Sequence, residues 1–172
     1  MARECICIVF SFLQTKTLTQ PFLTEMNEQL EYRIDPTKRT PRIILEEGRI
    51  CILGRSIPVN PGEFYRPVYD WICEYLHTEI QDTSIEFGFE YINTSSTKWV
   101  YNIIKEIATI RELACNIRIY WYYDKGDEDM CELGLIMRSL VDCQFFVIEV
   151  DGMGKNSENS FTLGYFCHGG PR

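Results

Sequence analysis

Apolar positions along the chain change period several times, and each change marks an element. Ile43 to Leu45 and Ile50 to Leu53 are short extended runs on either side of Glu46, Glu47 and Gly48, which predicts a β-hairpin. Phe64, Val68, Trp71, Ile72, Tyr75 and Leu76 then recur at i, i+4, i+7, i+8, i+11 and i+12, the buried stripe of a helix. Asn60 and Pro61 suit its start. Pro67 is unsuited to a helix interior, so the continuous helix is expected to begin only near Tyr65. Ile85, Phe87, Phe89 and Tyr91 alternate with Glu86, Gly88, Glu90 and Ile92, which predicts a strand that delivers the chain to Asn93. Trp99 or Val100, Ile103, Ile107, Ile110 and Ala114 mark a second helix. Cys115 to Tyr123 is extended, with Ile117, Ile119, Trp121 and Tyr123 on one side and Arg118, Tyr120 and Tyr122 on the other. Met130, Leu133, Gly134, Met137, Leu140 and Val141 give a third helix, and Phe145 to Val150 a closing strand.

The predicted order is ββαβαβαβ. Its alternating second half requires parallel strands joined by right-handed crossovers, hence an α/β fold with a mixed, largely parallel sheet and helices packed on it. Each helix then starts at the carboxyl end of a strand, where α/β folds gather functional groups.

One such junction holds Asn93, Thr94, Ser95 and Ser96. These residue types cap helices, because their side chains accept from the free N–H groups of the first turn. With Asn93 as the cap, Thr94 is the first helical residue. A phosphate on its hydroxyl would meet free N–H groups and the positive end of the helix dipole, worth about 0.3 to 2 kcal/mol. Lys98, one turn on, is placed to support it.

A second constellation is Asp124, Asp127, Glu128 and Asp129 around Gly126. An acidic first turn complements the dipole of the third helix, with Asp127 as its cap. The same carboxylates, with Tyr120 and Tyr122 exposed beside them, would make a docking surface for a basic partner. They lack the full EF-hand pattern, so a divalent-ion site is weakly supported.

Composition narrows the possible partners. The 172 residues carry 17 Lys and Arg against 25 Asp and Glu, a net charge of −8, which argues against a nucleic-acid partner. From Met26 to Val150 there are 13 basic against 21 acidic residues and the flanks hold 4 of each, so the excess acidity is central. Cys5, Cys7, Cys51, Cys73, Cys115, Cys131, Cys143 and Cys167 include no C-x-x-C pair and stand with only two histidines, His77 and His168. That spacing builds no zinc site, and reduced thiols of a cytoplasmic protein are expected.

Organisation follows the same lines. The apolar run Cys5 to Leu13 is too short to span a bilayer, so no membrane role is implied. Residues 1–29 are expected to be a weakly ordered or mispredicted extension, with Met26 an alternative start. Residues 30–150 form a single domain, and residues 151–172 a loose tail. Within that tail Gly152, Met153, Gly154, Lys155, Asn156 and Ser157 faintly resemble a phosphate-binding loop, but Glu149 stands where the loop needs its first Gly and Asn156 where it needs a hydroxyl. No cofactor is implied. Catalysis finds no support: no base stands near a Ser or Thr nucleophile in a recognisable motif, and His77 suits a solvated helix C-terminus.

Several blocks in order carry a family resemblance. They are Thr40 and Pro41; Ser56, Pro58, Asn60, Glu63, Phe64, Tyr65, Pro67, Val68 and Trp71; Tyr91 to Ser96 with Lys98; and Trp121, Tyr122, Tyr123, Asp127, Glu128, Asp129 and Met130. Over about 120 residues the chain resembles the SiaC family of regulatory phosphoproteins, whose fold is similar to the STAS domains of anti-sigma-factor antagonists. Val59, Asn60 and Pro61 replace the family's common Glu-Asn-Ser, so a departure is expected where the first helix begins. The resemblance implies a partner switch: a serine/threonine kinase and a metal-dependent phosphatase act on Thr94, with Ser95 and Ser96 as fallback acceptors. It further implies that the unmodified form engages a target such as a diguanylate cyclase, in cyclic-di-GMP signalling. A structural or scaffolding α/β domain with a merely capped helix is the alternative.

Overall fold

The computed structural model describes residues 31–78, 82–109 and 116–153. Its elements are β1 (Tyr32–Ile34), β2 (Arg42–Glu46), β3 (Arg49–Ser56), α1 (Pro61–Leu76), β4 (Thr83–Ile92), α2 (Thr94–Thr109), β5 (Ile117–Asp124), α3 (Glu128–Arg138) and β6 (Gln144–Val150). They form one six-stranded sheet in sequential order. β1, β2 and β3 pair antiparallel, and β3 to β6 are parallel. The mixed, largely parallel sheet matches the sequence expectation, with β1 as an added strand.

Because the parallel strands run in sequential order, right-handed crossovers place all three helices on one face. Ile43, Leu45, Ile50, Ile52, Ile85, Phe87, Phe89, Ile119 and Trp121 line that face and pack against Val68 and Ile72 of α1, Ile103 and Ile104 of α2, and Met130 and Met137 of α3. The opposite face carries a smaller cluster of Cys51, Leu53, Tyr122 and Met153, with Tyr120 and Ile148 packed beside it. Period-two alternation on β5 thus divides its residues between two unequal cores.

The hairpin turns at Glu47 and Gly48, where Gly48 adopts φ 77°, a backbone state nearly free of cost only for glycine. Helix α1 starts four residues earlier than the proline suggested. Asn60 Oδ1 accepts from Glu63 N at 3.2 Å, Pro61 stands at the first helical position, and the helix continues through Pro67. Two buried tyrosines hold α1 in place and offset the hydrogen bond that Pro67 removes. Tyr65 Oη lies 2.7 Å from Ser56 Oγ, and Tyr75 Oη lies 2.7 Å from Thr83 Oγ1 while accepting from Gly48 N at 3.0 Å.

Helix α3 seats on Trp121. The buried indole donates to the Met130 carbonyl at 3.0 Å, and Gly134 lies so close that an added Cβ would fall 2.5 Å from Trp121 Cδ1. The helix ends at Arg138, earlier than the apolar period reaches, yet Leu140 and Val141 still pack on the core. Ile110, Ala114 and Cys115, expected in the second helix and third long strand, lie outside the described residues, as do the N-terminal extension and the tail beyond Met153.

Candidate functional site

All three helices begin at the same end of the sheet, and each is capped in the same way. Asn60, Asn93 and Asp127 each accept from the backbone N–H three residues on, Glu63 at 3.2 Å, Ser96 at 2.8 Å and Met130 at 3.0 Å. The β4–α2 connection is the single residue Asn93. Its N–H donates to the Ser56 carbonyl at 3.1 Å, and its own carbonyl accepts from Thr97 N at 2.9 Å and Thr97 Oγ1 at 3.0 Å. Strand end, cap and first helical turn are therefore one fixed unit.

Thr94 is the first residue of α2 and is exposed, as is Ser95. Ser96 differs: its side chain is fully buried. Its neighbour Tyr65 is bonded to Ser56 instead, so Ser96 Oγ has no partner of hydrogen-bonding geometry among the described residues. Burial takes that hydroxyl out of reach of a modifying enzyme, which removes Ser96 as a fallback acceptor. Burial also pushes the Tyr65 hydroxyl up to about 12. Lys98 is exposed one turn beyond Thr94.

Thr94 and the acidic constellation meet. A groove of about 380 Å³ lies between the end of β4 and the starts of α2 and α3, lined by Tyr91, Ile92, Thr94, Asp127, Asp129 and Leu133 among others. A second, largely polar depression over Lys125 to Asp129 adjoins it and shares Asp127 and Asp129. Asp127 is fixed as a cap, whereas Glu128 and Asp129 project into solvent.

Tyr91 is the residue that periodicity misplaces. An unbroken alternation would put it on the same face as the buried Phe89, but it is 53% exposed. The register explains this: Gly54 pairs with Phe89 and Arg55 with Tyr91, so a bulge at Glu90 inserts one residue and turns Tyr91 outward beside Thr94. Only the polar Glu90 flanked by two aromatic residues hinted at it in the sequence.

Other members of the constellation lie elsewhere. Tyr122 is buried at 6% exposure, not exposed as expected, because Met153 covers it; Tyr120 is half-buried and stacks on Tyr122 and on Phe146, at 6.3 and 5.4 Å between ring centroids. Asp124 accepts from Met153 N at 2.6 Å and so anchors the chain leaving β6. These three residues are not in the groove. His77 caps the far end of α1, its Nδ1 2.6 Å from the Cys73 carbonyl, remote from Thr94. No set of three or more metal-ligating side chains occurs among the described residues.

Comparison with known proteins identifies the family. Residues 34–150 match the description "SiaC family regulatory phosphoprotein". The chain belongs to the SiaC family. An uncharacterized protein of Pseudomonas aeruginosa strain UCBPP-PA14 is 28% identical over 117 residues, covering 67% of this chain and 91% of the relative. The solved structure of SiaC of Pseudomonas aeruginosa is 24% identical with a TM-score of 0.63, covering 70% of this chain and 98% of that one. A second structure, the diguanylate cyclase SiaD in complex with its activator SiaC, matches at 25% identity and a TM-score of 0.59 over 69% and 99%. Membership makes the chain a regulatory protein and not an enzyme. Among the described residues no helix is long and apolar enough to cross a membrane.

Proposed function

We propose that this SiaC-family protein is a phosphorylation-controlled partner switch of the cytoplasm, whose unmodified form engages a target protein and whose phosphorylation at Thr94 releases it. The observation that carries the reading is the position of Thr94: an exposed hydroxyl on a rigidly capped first turn, at the lip of a groove. The target is a diguanylate cyclase, by likeness to the SiaC that activates SiaD. A serine/threonine kinase and a metal-dependent phosphatase set the state of Thr94, with Ser95 the remaining alternative acceptor.

The sign of regulation follows from two opposed terms. A phosphate adds close to two negative charges, which a basic partner would welcome by about 1 kcal/mol across a wet rim. Docking over it would also strip water from a dianion beside an apolar groove floor and beside Asp127 and Asp129, a cost of several kcal/mol. The second term is larger, so the modification releases the partner.

The test is phosphate-affinity electrophoresis with site-mapping mass spectrometry, combined with titration of the target. Thr94→Ala abolishes the modification and retains binding, whereas the phosphorylated chain binds at least about tenfold more weakly, and Thr94→Glu falls between them because one charge mimics only half of a phosphate. Equal binding by all four forms would overturn the switch. Neutral caps serving only the fold would then be the whole role of the junction.

A further inference from the structure

Parallel strands are as a rule covered on both faces, because they carry apolar residues to either side. Here the three helices occupy one face, and among the described residues only Met153 comes from outside the sheet to cover the other. Two contacts seat it there. Asp124 Oδ1 accepts from its N–H at 2.6 Å, and Gly88 leaves the sheet bare beneath it, where an added Cβ would lie 3.1 Å from Met153 Sδ and 2.8 Å from Leu53 Cδ2. The cover stops short of the patch it begins. Past the buried Tyr122, the rings of Tyr120 and Phe146 continue one stacked row across β5 and β6, with Tyr120 half-buried and Phe146 43% exposed. Such a row costs free energy when it is left to water.

We infer that residues 159–167 of this same chain complete the cover, laying Phe161, Leu163 and Tyr165 on the aromatic row of β5 and β6. The family match ends at residue 150, so this cover lies outside the matched domain, and it does not depend on the partner-switch reading. Chain direction and composition select the occupant. The chain leaves Met153 already on the open face, and Phe161 stands eight residues further on, a reach of at most about 28 Å. From β4 to β6 the face is only about 10 Å across. No residue from Asn159 to Cys167 is charged, and Phe161, Leu163 and Tyr165 alternate with Thr162 and Gly164, the period that turns one side of an extended segment apolar. The apolar run Cys5 to Leu13 leads instead into β1, at the opposite edge of the sheet from β6. A second copy of the chain is disfavoured by repulsion between two molecules of net charge −8.

Chymotrypsin digestion of the full chain under native conditions, read by mass spectrometry, tests this against a synthetic peptide of residues 154–172 as the uncovered reference. Cleavage after Phe161, Tyr165 and Phe166 should be about tenfold or more slower in the chain than in the peptide, because the protease cuts only the fraction of molecules whose tail has lifted. Phe146→Ser or Tyr120→Ser should bring the rate to within about twofold of the peptide's, whereas Tyr101→Ser, exposed on α2 in the helical layer, should leave it slow. A second readout leaves the domain untouched. Phe161→Ser with Leu163→Ser should raise the fluorescence of the apolar dye 8-anilinonaphthalene-1-sulfonate about threefold by opening the row. If the face variants loosen the domain itself, seen as cuts at the buried Phe87 or Trp121, the dye decides alone. Cleavage of the wild-type tail at the peptide's rate, slow cleavage that survives both face variants, or no gain in dye fluorescence would each overturn the inference. So would protection of Phe10 and Phe12 in place of the tail, or a dimer in sedimentation that Phe146→Ser dissolves.

Discussion

Two residues one turn apart at the start of α2 differ in what they contribute to stability. Asn93 satisfies the Ser96 N–H, so Asn93→Ala should lower unfolding free energy by about 1 kcal/mol in urea titration. The Ser96 hydroxyl is buried beside the Tyr65 hydroxyl with no well-formed hydrogen bond among the described residues, so Ser96→Ala should change stability by no more than about 1 kcal/mol in the same measurement, helped by alanine's better helix propensity, and should leave Thr94 a full phosphoacceptor. Cys51 sets a pH limit. Burial, reinforced by the Glu86 carboxylate, pushes its thiol from 9.0 up to about 12. Its contribution is complete below pH 9, where the thiol is neutral in both states, and is lost as pH rises from 9 towards 12, because the unfolded chain releases the proton first. Urea midpoints should therefore fall above pH 9, with a slope approaching about 1.4 kcal/mol per pH unit from this group. Cys51→Ala should start lower and fall less steeply over the same window. The capping role of Asn93 and Asp127 was legible from residue type and position, whereas the burial of Ser96 was not, since nothing local says which face of α2's first turn meets Tyr65.

Among the elements, α3 depends on a missing side chain. Gly134 reads in the sequence as one more member of an apolar stripe, but it is the place where the helix backbone lies on the Trp121 indole. Gly134→Ala gains about 1 kcal/mol of helix propensity and drives a methyl into a ring held by its bond to the Met130 carbonyl. Overpacking should win, with a net loss of about 1–3 kcal/mol of unfolding free energy in urea titration and a changed near-ultraviolet signal from the tryptophan. Periodicity supplied the order of every element from β2 to β6, because each buries one face against one core. It failed where that premise fails. β1 is three residues, too short to show a period. The bulge at Glu90 breaks the alternation that would have buried Tyr91, and Pro67 is tolerated because Tyr65 and Tyr75 secure α1 on either side of it. The groove itself was only half legible: Thr94 and Asp127 were singled out separately, and it takes the parallel register of β4 and β5 to bring their helix starts together.

At the scale of the whole molecule, the sequential strand order turns three separate helix starts into one functional edge and leaves the fold indifferent to chemistry there. A phosphate on Thr94 changes a net charge of −8 by close to two further units, yet Thr94 is exposed and is not itself a residue of the main core. Two terms decide the effect on stability. The dipole and free N–H groups of α2 favour the phosphate by about 0.3–2 kcal/mol, and the carboxylates of Asp127 and Asp129 across the groove oppose it by a similar amount through screened repulsion. The folded state should therefore survive modification with a change within about 1 kcal/mol, measured by urea unfolding of the phosphorylated chain. The two terms also differ in their response to salt. Repulsion across the open groove is screened within about 10 Å at 0.1 M ionic strength, whereas contacts between the phosphate and the N–H groups of its own helix turn are short and persist. Raising ionic strength should consequently stabilise the phosphorylated form relative to the unmodified one. The opposite trend, or a phosphorylated chain that unfolds several kcal/mol more easily, would mean that release of the partner comes from melting α2 and not from covering the groove.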